Sequence, residues 1–306
     1  MIELSRNYEK IYNNIIDITG AYIQKHKLNS LVVGLSGGID STLTASLAHQ
    51  IKSTLDVPFF RVIGVSIPSK SNYQIEIDRA RMAGEAFCDD FREIGKRGVF
   101  IKPYILDSIL RAYTWRLKPY NKIFSTQGRS ILKSRACKVG RGNLKARIRM
   151  AILYDIAHHN NGMVLSTDNY TEYMLGFWTL HGDVGDFGML QNLFKTEVYG
   201  LARYVSTLLV KGEWKSWKLP AQIEALRESA AAVSTDGNGL GTDMDQLGAS
   251  NYYQIDQILL KHLNEISEDS SHIIDRVVNH HIIERHKNTG FKRDNPYNIP
   301  RESLLK

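Results

Sequence analysis

Sulfur is scarce in this chain: Cys88 and Cys137 are its two cysteines in 306 residues, and they form no C-x-x-C pair. That usage fits a reducing compartment. Long apolar runs are also missing, and nothing approaches the ~20 residues that a membrane span needs. The first ten residues lack the basic-then-apolar order of a signal peptide. These absences predict a cytoplasmic protein without a membrane partner. No internal repeat, low-complexity linker, nucleophile elbow or catalytic-triad signature is present. No RNA-binding motif of the usual kinds is visible, so no nucleic-acid partner is expected.

What is present suits a large folded core. Hydrophobic residues make up 43% of the chain and charged residues 23%, ordinary values for a globular protein of this length. The net charge of +7 suits a polyanionic ligand without separating nucleic acid from nucleotides. The basic residues gather in 133–149 and 287–293 rather than in a tail.

The stretch 31–41 organises the rest. Residues 31–35 are mostly apolar and predict a short buried strand. Ser36, Gly37 and Gly38 then make a turn of small side chains, and 42–51 continues as a helix with Leu43, Leu47 and Ile51 four apart. Such a turn aims backbone N–H groups and a helix dipole at a bound anion, most often phosphate. Ser36 and Ser41 add hydroxyls. Asp40 beside phosphates calls for a bridging cation, which predicts Mg²⁺. No Gly-Lys-Ser/Thr follows at Walker spacing, and the Rossmann Gly-x-Gly-x-x-Gly is absent.

Periodicity predicts helices over 4–25, 74–87, 143–158, 197–209 and 252–266, and strands over 60–67, 99–102 and 162–167. Strands alternating with helices predict an α/β protein: a parallel, doubly wound sheet with helices on both faces, in one domain over 1–306. Residues 103–140 show no firm period. Trp214 and Trp217 fall in a connecting segment, and 234–248 reads as a mobile loop. Tyr252 and Tyr253 are expected in the core. His280, His281 and His286 near Glu284 fit no zinc spacing and read as a solvated helix face. Arg111, Arg116, Lys118 and Lys122 interleave with Tyr113, Trp115 and Tyr120, a pattern of RNA-binding surfaces that reads here as a surface lobe or subunit contact. At the end of the 162–167 strand, Thr167 sits at the ligand edge. Glu172, one turn on, reads by itself as a surface helix acid, with a share of Mg²⁺ beside Asp40 as the alternative.

Ser36-Gly37-Gly38-Ile39-Asp40-Ser41 resembles the pyrophosphate loop of the N-type ATP pyrophosphatases. Five further segments resemble NAD synthetase motifs, in order: Gly142 to Met150, Ser166 to Glu172, Gly176 to Asp183, Thr242 to Gly248, and Lys292-Arg293. The family's fold is adenine nucleotide alpha hydrolase-like. Its members adenylate the carboxylate of deamido-NAD with ATP, release pyrophosphate, and let ammonia displace AMP. The resemblance implies ATP contacts from Gly34, Leu35, Ser36, Gly37, Gly38, Ile39, Asp40, Ser41, Gln74, Thr167, Lys195 and Ser229. It implies magnesium at Asp40 and Glu172, and deamido-NAD at Arg147, Asp186, Phe291 and Lys292. Asp40, Asp183 and Lys195 would be the catalytic groups, with Asp183 taking the proton of the attacking ammonia.

The chain departs from the family at the Gly182–Asp186 turn, which is one residue shorter, and at Leu180, Ser229 and Phe291. The resemblance also implies a homodimer. Some 30 residues precede the first strand, too few for a glutamine amidase domain on the usual domain scale, so free ammonia is the expected donor. Two rival readings stay open at this point. One is another loop-sharing ligase, GMP-synthetase-like or tRNA-modifying. The other is a nucleotide binder without turnover.

Overall fold

The computed structural model describes residues 2–95, 135–214, 218–232, 241–264 and 273–294, with 108, 112 and 115. The strands are β1 (Ser30–Gly34), β2 (Arg61–Ser66), β3 (Asp90–Glu93), β4 (Gly162–Ser166) and β5 (Phe187–Gly188). The helices are α1 (Tyr8–His26), α2 (Ile39–Thr54), α3 (Gln74–Phe87), α4 (Arg135–His159), α5 (Tyr170–Leu175) and α6 (Lys195–Val210). They continue with α7 (Leu219–Ala230), α8 (Asp243–Leu247), α9 (Tyr252–Leu263), α10 (Ile273–Asn288) and α11 (Gly290–Arg293).

The strands form one parallel sheet in the order β3-β2-β1-β4-β5. Consecutive β1 side chains divide between its faces. Leu31 and Val33 join a core with α1, α2, α3, α6 and α7, whereas Val32 packs with Ile63, Val164 and the α4 residues Met150, Leu153 and Ile156. Helices therefore cover both faces, as the alternation of strands and helices predicts. A third apolar cluster joins α5, α8, α9 and α10 through Leu175, Leu247, Ile255, Leu259 and Ile282. The chain winds from β1 out to β3, then returns to β4 on the other side. The switch point lies between the C-terminal ends of β1 and β4, where such sheets bind ligands.

Several expectations need correction. The third strand is Asp90–Glu93, pairing with β2 from Ile63↔Asp90; the expected strand at 99–102 lies outside the described residues. β5 is only two residues long, too short for any periodic signal. The segment after Trp214 contains a full helix, α7, and Trp214 itself is buried, its indole N–H donating to Tyr12 Oη at 3.1 Å. Within 234–248 the described part holds the short helix α8, capped by Thr242. Tyr252 is buried, but Tyr253 is 56% exposed. Trp115 is exposed, and the other members of its basic-aromatic stretch lie outside the described residues. His280 and His281 are solvated, whereas His286 is half-buried with Nδ1 2.9 Å from Met174 O.

Cys88 is buried against β2, and burial pushes its thiol up to about 12. A thiol so protonated and covered is inert. Titration with an aromatic disulfide is expected to modify Cys137 in the native protein and Cys88 only after denaturation.

Candidate active site

The turn from β1 into α2 presents its donors to the switch point. Gly38 caps α2 in an extended conformation with no side-chain cap bond, so the first N–H groups of that helix keep their capacity for an anion. Gly37 adopts φ +87°, and a Cβ there would stand 2.3 Å from Glu76 O. Only glycine fits that position. Ser41 Oγ donates to Gly38 O at 3.1 Å and lies 3.2 Å from Ser36 Oγ, which stiffens the turn. Gly34 and Leu35 lead into it, and Leu35 N–H donates to Val65 O at 2.8 Å, extending the ladder.

Asp40, in the first turn of α2, meets groups from across the switch point. Lys195 Nζ binds Asp40 Oδ2 and lies 3.3 Å from Glu172 Oε1; Lys195 is only 2% exposed and each carboxylate 15%. Asn169 Nδ2 donates to Asp40 Oδ1 at 3.0 Å, and Asn169 Oδ1 caps α5 by accepting from Glu172 N–H at 3.0 Å. Burial pushes Glu172 up to about 7, against the pull of Lys195. Burial works to lower Lys195 as well, but Asp40 and Glu172 overcome it and hold the ammonium well above the usual lysine range. The ammonium also lies 5.2 Å from the Tyr252 ring centroid.

A second group lies beside this one. Thr179 N–H donates to Asp183 Oδ1 at 2.6 Å, and Thr179 Oγ1 donates to Asn143 Oδ1 at 3.0 Å. Arg147 donates twice to Leu180 O, at 3.2 and 3.0 Å. Lys292 donates to Gly176 O at 2.6 Å and to Trp178 O, and its ammonium lies 5.5 Å from the Trp178 ring centroid. Burial raises Asp183 despite the Thr179 N–H and the nearby Lys292 and Arg147. Asp168, whose Oδ2 accepts from Ser166 Oγ at 3.0 Å, is also raised by burial and by Asp183 and Glu172.

The remaining expected residues stand apart from these contacts. Thr167 is half-buried at the C-terminal end of β4. Gln74 is exposed at the start of α3 and donates to Asp78 Oδ1 at 2.9 Å. Ser229 is buried on α7, and its hydroxyl donates to Leu226 O in its own helix. Phe291 is 63% exposed on α11. Both oxygens of Asp186 are engaged by the protein, Oδ1 by Tyr154 Oη at 2.9 Å and Oδ2 by Val164 N–H at 3.0 Å. Gly185 passes so close that a Cβ would stand 2.6 Å from Ser166 N, which explains how the shortened turn docks on β4. Asp186→Ala is accordingly expected to lower stability by about 1–3 kcal/mol through the orphaned N–H, and Tyr154→Phe by less, both read by denaturant melts.

Asn169, Asp168 and Tyr252 are site residues that sequence reasoning missed. Asn169 carried a signal, since Asn-x-x-Glu before a helix is a capping-box pattern. Tyr252 carried none, because its partner lies 57 positions earlier in the chain.

Two carboxylates at one point of the ligand edge are a hard-oxygen set that fits Mg²⁺, which takes one or two carboxylates and completes its shell with phosphate oxygens and water. Among the described residues, no group of three or more His, Cys, Asp or Glu residues is arranged to hold a metal. The protein would thus supply only part of that shell.

Sheet order, glycine turn and flanking carboxylates together define a parallel, doubly wound α/β protein with an anion-ready turn and paired acids at its switch point, the adenine nucleotide alpha hydrolase-like fold. Comparison with known proteins narrows that class. The family model described as NAD synthase matches residues 11–296, and the chain belongs to this family, whose members are ligases. The NH(3)-dependent NAD(+) synthetase of Methanocaldococcus jannaschii is 35% identical over 198 residues, 64% of this chain and 66% of the relative. The protein of the same name from Thermoplasma acidophilum is 29% identical over 269 residues, 88% and 89% of the two chains. The structure of NMN synthetase from Francisella tularensis superposes with a TM-score of 0.66 at 23% identity, covering 98% of this chain and all of that one, a likeness of fold.

Proposed function

We propose that the chain converts deamido-NAD, ATP and ammonia into NAD, AMP and pyrophosphate through an adenylated carboxylate. The observation that carries this reading is the buried Lys195 ammonium, held between Asp40 and Glu172 at the foot of the glycine turn. A carboxylate oxygen of the nicotinate attacks the α-phosphorus of ATP and pyrophosphate leaves. Ammonia then attacks the acyl carbon, AMP leaves with the C–O bond electrons, and a proton is released. Negative charge develops on phosphate oxygens in the first step, where the α2 N–H groups and Lys195 are placed to stabilise it. Asp40 and Glu172 would hold Mg²⁺, which, when bound, neutralises phosphate charge and orients the triphosphate. Thr167, Gln74 and Ser229 are assigned to the nucleotide by position in the motifs. Arg147, Asp186, Phe291 and Lys292 are assigned in the same way to the acceptor.

Asp183 is read as the acceptor of the ammonia proton. Its raised carboxyl suits a base that must release that proton afterwards. Membership of the family sets aside the GMP-synthetase-like and tRNA-modifying readings. Among the described residues, no helix is long and apolar enough to cross a membrane. A cytoplasmic location and a homodimer go with the family reading, and light scattering at twice the chain mass checks the dimer.

The test is product analysis with purified protein, ATP, Mg²⁺, ammonium and either deamido-NAD or nicotinic acid mononucleotide. NAD, AMP and pyrophosphate in equal amounts, lost in Asp40→Ala, are expected with the dinucleotide. Amidation of the mononucleotide alone would overturn the acceptor and leave the ligase chemistry.

A further inference from the structure

We propose that Asp256 is a positioning residue for this reaction: from α9 it ties together the residue before Glu172 and the residue after Lys195, and so sets the spacing between the site's cation and its carboxylates. The inference rests on the ligase reading above.

Glu172 and Lys195 are 23 positions apart on separate helices, yet their side chains meet at 3.3 Å. Helix α5, which carries Glu172, has only six residues, too few to be stable without tertiary anchors. Asp256 supplies one. It is fully buried among the apolar side chains Ile255, Ile258 and Leu259 of its own helix, a costly place for a carboxyl unless its oxygens are bonded. They are. Thr171 Oγ1 donates to Asp256 Oδ1 at 2.5 Å, Thr196 N–H donates to Oδ2 at 2.8 Å, and Thr196 Oγ1 donates to the same oxygen. Thr171 Oγ1 in turn accepts from Lys195 N–H at 2.8 Å. The chain of bonds therefore runs from the Lys195 backbone through Thr171 to Asp256 and back to Thr196.

This network answers a local need, since the first N–H groups of α6 require partners outside the helix, and an acid there suits the helix dipole. It also does more than a cap. One carboxyl grips the first turn of α5 and the first turn of α6 at once, so those turns cannot shift independently. An apolar residue at 256 would satisfy the surrounding cluster but remove the carboxyl that grips both turns, leaving the Thr171 hydroxyl to hold the Lys195 N–H without its own partner. The linking side chains reach Lys195 through its backbone N–H, which donates to Thr171 Oγ1, and not through its ammonium, so their action is through backbone placement.

The test uses the full chain. Asp256→Asn keeps an acceptor for Thr196 N–H, and Asp256→Ala keeps none. The expected result is a fall in kcat of about 10–100-fold for Asp256→Asn, the usual effect of removing a supporting partner, with a larger fall for Asp256→Ala. KM for the acceptor should stay within about twofold, because the residues assigned to the acceptor lie on other elements, Arg147 on α4 and Phe291 and Lys292 on α11. Thr171→Ser, which keeps the hydroxyl, should restore wild-type rates, whereas Thr171→Val should match Asp256→Asn. The double variant Asp256→Asn/Thr171→Val should be no slower than the slower single, as expected of one linked chain.

Wild-type kcat in folded Asp256→Asn, or multiplicative losses in the double variant, would overturn the proposal. Calorimetric Mg-ATP affinity separates its failure from that of the ligase reading. A wild type that binds Mg-ATP without forming NAD refutes the ligase reading. Asp256→Asn affinity, weakened or unchanged against that wild type, then supports or refutes the positioning role on its own.

Discussion

Lys195→Met is expected to abolish amidation and to destabilise the ligand-free protein by about 3 kcal/mol at pH 8, with a smaller deficit at pH 5. The lysine is 2% exposed and faces two carboxylates that are themselves only 15% exposed. Removing one partner of a buried ion cluster leaves the others uncompensated, which typically costs about 3–5 kcal/mol; the lower end applies because both acids keep some contact with water. The pH dependence follows from Glu172. Its carboxyl stands raised to about 7 in the folded wild type, above its unfolded value, so the folded state holds a proton that the unfolded state has already lost. Stability from this group is complete below the unfolded range near 4 and is lost as pH rises through about 7. Without the ammonium, Glu172 rises further, so the penalty of ionising it grows and the mutant deficit widens toward alkaline pH. Calorimetric melts of both proteins between pH 5 and 8 measure this directly, and parallel curves would refute it. The rate loss should exceed about 100-fold, the scale for removing one preorganised donor to developing charge.

Gly37→Ala carries the second large effect. The residue holds φ +87°, and the added Cβ would stand 2.3 Å from Glu76 O, 3.1 Å from Arg79 Cβ and 3.2 Å from Ala80 N. Two of those atoms are helix backbone and cannot swing aside. Left-handed backbone costs about 1–3 kcal/mol for a residue with a side chain, and relief of the overlap adds a similar amount. A loss of about 3 kcal/mol or more is expected in denaturant melts. Relief would come from lifting the turn off α3, which carries the α2 N–H groups away from the phosphates. ATP binding should therefore fall below detection by calorimetry even where the protein remains folded. Gly38→Ala is the control, since its Cβ would meet only Ser36 Oγ at 3.5 Å.

Much of the fold was legible because its signals are local. β1, α2, β2 and β4 are apolar runs or amphipathic periods bounded by turn residues, and each stands within a residue or a few of its expected place. The glycine turn was legible for the same reason: small residues between a strand and a helix leave few alternatives. The strand at Asp90–Glu93 was not legible because it is four half-buried residues, three of them charged. Ladder hydrogen bonds to β2 make it a strand, not its own pattern. α7 was missed for a related reason. It is an ordinary amphipathic helix whose apolar face is defined by α2, α3 and α6.

The same division runs through the site. Residue identity alone determined the glycine turn and the place of Asp40 within it, because those depend on chemical type and short spacing. Only the tertiary structure decided that Lys195 is the cation between Asp40 and Glu172 in the protein itself. It likewise decided that both Asp186 oxygens bind the β4 backbone and Tyr154, and that a buried acid on α9 links the two helices behind the site. Those contacts join residues 22 to 155 positions apart. Hydrogen bonds and ion pairs of that kind exist only once packing has excluded water and set the distances.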